Sequence, residues 1–137
     1  MMIKLLTLLG MLYLHIVDDY YLQGNSFLVS GKQKKWWKDN EPDHLYRKDY
    51  IIVLIEHSFS WTIAIMAIPA MYMIIFEDHY YSPMNIIAFS ILFIFNWFLH
   101  SCIDHAKANE KSINLITDQI IHVIQVICTW LLLIAFA

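Results

Sequence analysis

The sequence predicts an all-α protein, a four-helix transmembrane bundle. Three observations predict it. Of the 137 residues, 59% are hydrophobic and the mean hydropathy is +0.52, whereas soluble domains run at roughly 45–50% apolar. Charged residues make up only 15%, against about a quarter in a soluble chain. Four apolar segments recur, each long enough to cross a hydrocarbon core. Three Gly and three Pro leave little room for long flexible structure, so residues 1–137 read as one integral membrane domain. A net charge of -3 argues against a general nucleic-acid binder.

The first segment covers about residues 3–22. Its start, one Lys followed by an apolar run, has the look of a secretory leader. No small-residue cleavage site follows, and the run continues into His15, Asp18 and Asp19, so it reads as a retained first membrane helix. Residues 24–48 form a polar loop with Gly31, Pro42 and the basic-aromatic patch KQKKWWKDN. Trp36, Trp37 and their lysines are expected at the lipid headgroups, where aromatic and basic residues flanking a span collect. The second span covers about 49–76, with Pro69 predicting a kink. A short acidic, aromatic turn leads to the third span, about 84–105, then a polar loop over 106–114 and a fourth span, about 115–136. Cys102 and Cys128 fall in apolar segments and read as small hydrophobic residues.

Lys and Arg counts set the orientation. The loop after the first span carries Lys32, Lys34, Lys35, Lys38, Arg47 and Lys48, and the loop after the third carries Lys107 and Lys111. The opposite side has only Lys4. Both loops are therefore expected in the cytoplasm, and both termini on the non-cytoplasmic side.

Into these apolar segments the chain sets ionisable residues at helical spacing. His15 and Asp19, His100 and Asp104, and Asp118 and His122 each stand four apart, and His57 occupies the second span. A spacing of four puts both side chains on one helix face. With the orientation above, all of them fall at one depth, near the cytoplasmic leaflet. Facing lipid would cost several kcal/mol per charge, so these stripes are expected to turn inward and meet. Metal sites in helix bundles are built this way, from His and carboxylate residues on facing helices. His with carboxylate suits Zn, Mn or Fe, and a bound divalent ion lowers the pKa of its water to about 7.

The expected metal ligands are His15, Asp19, His100, Asp104, Asp118 and His122, with His57 as a seventh ligand or a catalytic base. Gln23, Gln119 and Lys107 are expected to orient ligands or substrate. One ion or two both remain open. Asn96 reads as an interhelical hydrogen-bonding residue, and Asp18 as a carboxylate facing the interface or loop, because Asp19 shares the His15 stripe. His44, His79 and His105 read as solvated, and Glu56 as turned about 100° from His57. A weak internal repeat pairs the first and third spans through H-x-x-x-D, though Val53 stands where a counterpart of Asp118 would be. Nucleophile-elbow, P-loop and H-E-x-x-H motifs are absent. Two rivals to a metal site remain: a non-enzymatic membrane protein that binds a protein partner, its cluster merely holding the helices together, and an ion or proton conductor.

Four pieces in order carry a resemblance. H-x-x-x-D-x-x-x-Q (His15, Asp19, Gln23), the lone His57, H-x-x-x-D-x-x-K (His100, Asp104, Lys107) and D-Q-x-x-H (Asp118, Gln119, His122) together resemble the bacterial and phage membrane-protein family termed domain of unknown function 3307, over nearly the whole chain. The doubled Asp18-Asp19 and the Trp36-Trp37 pair depart from the family's pattern. That family has no established activity. Its layout is similar to that of small membrane proteins described as membrane-bound metal-dependent hydrolases. The resemblance names no substrate; the leading expectation from the His/Asp cluster is metal-dependent hydrolysis of a lipid or membrane-proximal substrate in a bacterial inner membrane, with homo-oligomerisation left open.

Overall fold

A computed structural model describes residues 2–22, 27–41, 43–76 and 82–135. Gln23, Pro42 and His79 therefore lie outside the described residues. Every regular element among them is helical, with no strand. Helix α1 (Met2–Ile16) passes into a π-helical turn, Val17–Leu22. Two short helices follow, α2 (Phe27–Gly31) and α3 (Lys34–Asn40), then a 3-10 turn (His44–Tyr46) and the long α4 (Asp49–Phe76). Helix α5 (Pro83–His105) ends in a second π turn, Ala106–Glu110, and α6 (Leu115–Trp130) in a third, Leu131–Ala135.

Local chemistry fixes the helix starts. Ser82 caps α5 by accepting a hydrogen bond from the Asn85 backbone N–H at 3.3 Å, and Pro83 opens the helix, where its missing N–H costs nothing. Asn114 caps α6 by accepting from the Thr117 N–H at 2.9 Å. Helix α4 runs through Pro69 as one element, with that ring buried.

The long helices pack in a ring. Helix α4 lies against α1 and α5, and α6 lies against α5 and α1. The interior is apolar at one end, around Met11, Trp61, Ile65, Met66, Met73 and Ile134. Towards the other end it is polar, with His15, His57, His100, Asp104, Asp118 and His122 all buried. The exterior is the reverse: Leu9, Ile63, Ile91, Ile94, Phe98 and Ile124 are among many large apolar side chains that face outward. Polar inside and apolar outside suits a hydrocarbon solvent, because lipid gives no drive to bury apolar surface.

Three stretches, His44–Phe76, Pro83–Glu110 and Leu115–Ile134, are long and apolar enough to cross a membrane. The expected first span is shorter as an α-helix, 15 residues, before the six-residue π turn that carries Asp18 and Asp19. The expected loop over 24–48 also differs, since it folds into α2 and α3 against α4. Trp37, expected at the headgroups, is instead buried, and its Nε1 donates to the Gly31 carbonyl at 2.6 Å. It meets Phe27 and Trp36 edge to face at 5.6 and 5.1 Å. Indole packing with a satisfied N–H wins over the interface here. Gly31 permits it: a Cβ there would come within 3.1 Å of the Phe27 ring and 3.3 Å of Val53.

Candidate metal centre

Four helices and one loop deliver the polar side chains to a single cluster. From α4, His57 places Nε2 at 2.7 Å from Asp104 Oδ2 and 3.1 Å from His100 Nε2. From α5, the His100 ring stacks on that of His122 of α6, with centroids 4.1 Å apart. His122 Nε2 stands 3.6 Å from Asp104 Oδ1 and 3.4 Å from Asp118 Oδ1. Lys107 Nζ donates to Asp118 Oδ2 at 2.6 Å and lies 3.4 Å from Asp104 Oδ1. At the end of α1, Asp19 Oδ2 accepts from Gln119 Nε2 at 3.1 Å and lies 3.6 Å from His15 Nδ1.

Two overlapping triplets have the spacing of metal ligands. Asp19, His57 and His100 form one; His100, Asp104 and His122 form the other, wholly buried; in each, the donor atoms lie within 4.8 Å of one another. Bonds of about 2.1 Å to a tetrahedral ion hold ligand atoms about 3.4 Å apart. The His122 separations of 3.4 and 3.6 Å fit that figure and exceed a good N–H···O contact. Both ring nitrogens of His122, together with His100 Nδ1, Asp19 Oδ1 and Asp118 Oδ1, are buried without a hydrogen-bond partner. Buried polar atoms are rarely left so in native proteins, and an ion would satisfy several at once. The donor set therefore fits a divalent metal.

Of the expected ligands, Asp19, His100, Asp104 and His122 enter these triplets, as does His57. Asp118 stands beside them, holding Lys107 and facing His122. His15 stands outside both triplets. Its Nδ1 accepts a hydrogen bond from the Trp61 indole at 2.8 Å, and its ring lies 5.9 Å from that of His122. Gln119 bridges Asp19 and Asp118, as an orienting residue would. Asn96 bonds across helices as expected, donating to Thr129 Oγ1 at 2.9 Å while its backbone carbonyl accepts from Gln125 Nε2. His44 and Glu56 are exposed. His105 is half-buried, its ring 6.0 Å from that of Tyr50.

Asp18 corrects an expectation. It is fully buried rather than facing the interface or loop, and accepts from Ser60 Oγ at 2.7 Å. The cause is the π turn over Val17–Leu22, which holds more residues per turn than an α-helix. Adjacent side chains then lie closer in angle, and both Asp18 and Asp19 point into the bundle.

Sequence reading missed three participants. Lys32, expected at the headgroups, reaches inward, with Nζ 2.6 Å from Asp104 Oδ2 and 3.2 Å from His57 Nε2. Trp61 lies under the histidines, stacked on His100 at 4.1 Å. Asn109 binds the two loops together, donating to the Lys32 carbonyl at 2.9 Å and accepting from the Lys34 N–H at 2.7 Å. It acts on the cluster only through the loop that carries Lys32, a tertiary contact that a single loop Asn does not announce. Replacing Asn109 with Ala is expected to cost about 1–2 kcal/mol, the loss of two side chain–backbone bonds, and to release the 32–34 strand of chain. Thermal unfolding in detergent and faster proteolysis next to Lys32 check this; unchanged cleavage would show the loop is held by other contacts.

Compared with family models, with curated proteins and with solved structures, the chain matches none.

Proposed function

We propose that this chain is an integral membrane metal-dependent hydrolase acting on a lipid or membrane-proximal substrate. The observation that carries the reading is the buried triplet His100, Asp104 and His122, whose donor atoms face one another while both His122 nitrogens lack a hydrogen bond. Charge supports it. Four carboxylates (Asp18, Asp19, Asp104, Asp118) share the interior with two ammonium groups, Lys32 and Lys107. The carboxylates outnumber the ammonium groups, an imbalance that a divalent cation would offset at low dielectric.

In this reading His100, Asp104 and His122 hold the ion, and Asp118 and Gln119 steady the ligands. A bound divalent ion would supply a water with a pKa of about 7 as nucleophile. His57 lines the cavity beside the cluster and is the proposed base for that water. Asp19 lines the same cavity, within reach of His57 and His100. Zn, Mn and Fe all suit the donors.

Helix α1 acts as the fourth span, since Leu5, Leu6, Leu9 and Tyr13 face outward in the manner of a lipid-facing helix. The lysine-bearing loops lie in the cytoplasm, both termini on the far side, and the membrane is the bacterial inner one, in keeping with the family resemblance. The rival reading, a structural cluster in a partner-binding protein, draws on Lys32 and Lys107, each only 2.6 Å from a carboxylate.

Elemental analysis of detergent-purified protein from metal-replete cells separates the two. About one divalent ion per chain, lost in His100→Gln and His122→Gln but kept in His57→Gln, is the expected result. Folded wild-type protein without metal would favour the structural cluster, and proton or cation flux in liposomes would favour a conductor.

A further inference from the structure

The cavity beside the cluster has a volume of about 380 Å³, and its walls include Asp19, His57, Lys32, Lys107 and Lys111. Against it lies a second hollow of about 450 Å³, walled by Ile116, Ile120, Val123 and Ile124 on the outer side of α6. Tyr20, Leu115 and Gln119 line both, so a lysine-bearing chamber adjoins an apolar groove.

We propose that the two together seat one anionic phospholipid-type molecule: its phosphate headgroup among Lys32, Lys107 and Lys111, and one acyl chain along α6. This rests on the hydrolase reading and deepens it by naming the substrate class. Three lysines on the chamber wall offer cations to a phosphate, beside the Asp19 carboxylate. Lys32 and Lys107 are already engaged by Asp104 and Asp118. Lys111 is exposed on the chamber wall and has no carboxylate partner among the described residues, which leaves one cation for a ligand.

Lys111 has φ 55, the one positive φ outside glycine among the described residues, and Gly or Asn would fit this left-handed cap at lower cost. The groove supplies the other half of the ligand. Ile116, Ile120 and Ile124 are exposed, and the ten residues from Leu115 to Ile124 rise about 14 Å, close to the depth of one hydrocarbon leaflet.

The test uses dodecyl phosphate, inorganic phosphate and dodecyltrimethylammonium, each added to the full chain in neutral-lipid nanodiscs and read by native mass spectrometry. Dodecyl phosphate is expected to bind. Lys111→Gln and Ile120→Trp are each expected to weaken it about tenfold, the first by removing the cation and the second by filling the groove. Lys111→Gly serves as the folding control, because it relieves the cap while still lowering affinity. Inorganic phosphate is expected to bind far more weakly and to ignore Ile120→Trp, and the cationic amphiphile is not expected to bind.

The proposal is overturned if dodecyl phosphate is indifferent to both substitutions, or if inorganic phosphate binds equally well. It is also overturned if Ile120→Trp alters only the oligomeric state, which would make the groove an interface between copies. Repeating the measurement on chelator-treated protein separates the readings. Binding retained without turnover of a phospholipid in the metal-loaded protein sinks hydrolysis alone, and turnover without groove dependence sinks the lipid seat alone.

Discussion

Asp104→Ala is expected to strip the metal from the cluster and to destabilise the fold by about 3–5 kcal/mol, the range for breaking a buried charge pair from one side. Asp104 is 1% exposed and receives Lys32 at 2.6 Å and His57 at 2.7 Å. Lys107 and His122 lie at 3.4 and 3.6 Å. Without the carboxylate, Lys107 still has Asp118, but the Lys32 ammonium loses its ion-pair partner at the cluster. Removing that stranded charge tests the cause. The double variant Asp104→Asn, Lys32→Met is expected to recover most of the stability while remaining metal-free, since Asn holds a divalent ion poorly beside two histidines. Denaturant unfolding in detergent and elemental analysis read the two effects separately. Equal stability of wild type and Asp104→Ala would mean that water reaches the cluster freely, and a metal-loaded double variant would remove Asp104 from the ligand set.

The inward-facing pairs were legible in the sequence because two physical rules converge on them. A separation of four residues places His100 with Asp104, and Asp118 with His122, on single faces, and the cost of charge in hydrocarbon decides which way those faces turn. Lys counts in the loops then suggested a common depth, and the cluster does gather at the end where the first and third connections lie. The participants that escaped did so for equally physical reasons. Asp18 is carried inward by a π turn, and no residue pattern in Val17–Leu22 departs from what an α-helix would show. Lys32 comes from a connection whose path depends on Trp37 burying itself against Gly31 and Val53, a tertiary contact that composition reads as an interfacial patch. Trp61 looks, in an apolar helix, like any other lipid-facing aromatic.

That last residue also decides what His15 can do. The Trp61 indole donates to His15 Nδ1 at 2.8 Å, so the lone pair on that nitrogen is in use, and in the neutral ring the proton resides on Nε2. Neither nitrogen then offers a free lone pair to an ion, which accounts physically for a buried histidine that joins neither triplet. His15 is better described as a positioning residue: it holds Trp61, and Trp61 in turn floors His100.

Trp61→Ala is therefore expected to be the second most damaging single change. The side chain is completely buried, stacked on His100 at 4.1 Å and tilted against His122 at 5.5 Å. Truncating it opens a cavity beneath both rings and is expected to cost about 3–5 kcal/mol. The lost energy is van der Waals packing, because lipid supplies no hydrophobic penalty to share it. The two histidines would lose their fixed orientation, so metal affinity is expected to fall about 10–100-fold, the usual effect of removing a support behind a ligand. Trp61→Phe divides the contribution. It keeps an aromatic face for His100 and removes only the N–H, so it is expected to cost about 1–2 kcal/mol and to leave the metal in place. It also frees His15 Nδ1, and nitrogen chemical shifts of His15 in the labelled protein are expected to show the tautomer preference weakened. Metal loss in Trp61→Phe as complete as in Trp61→Ala would mean that the indole hydrogen bond, and not the stacked ring, holds the histidines, and would move His15 from the edge of the cluster to its centre.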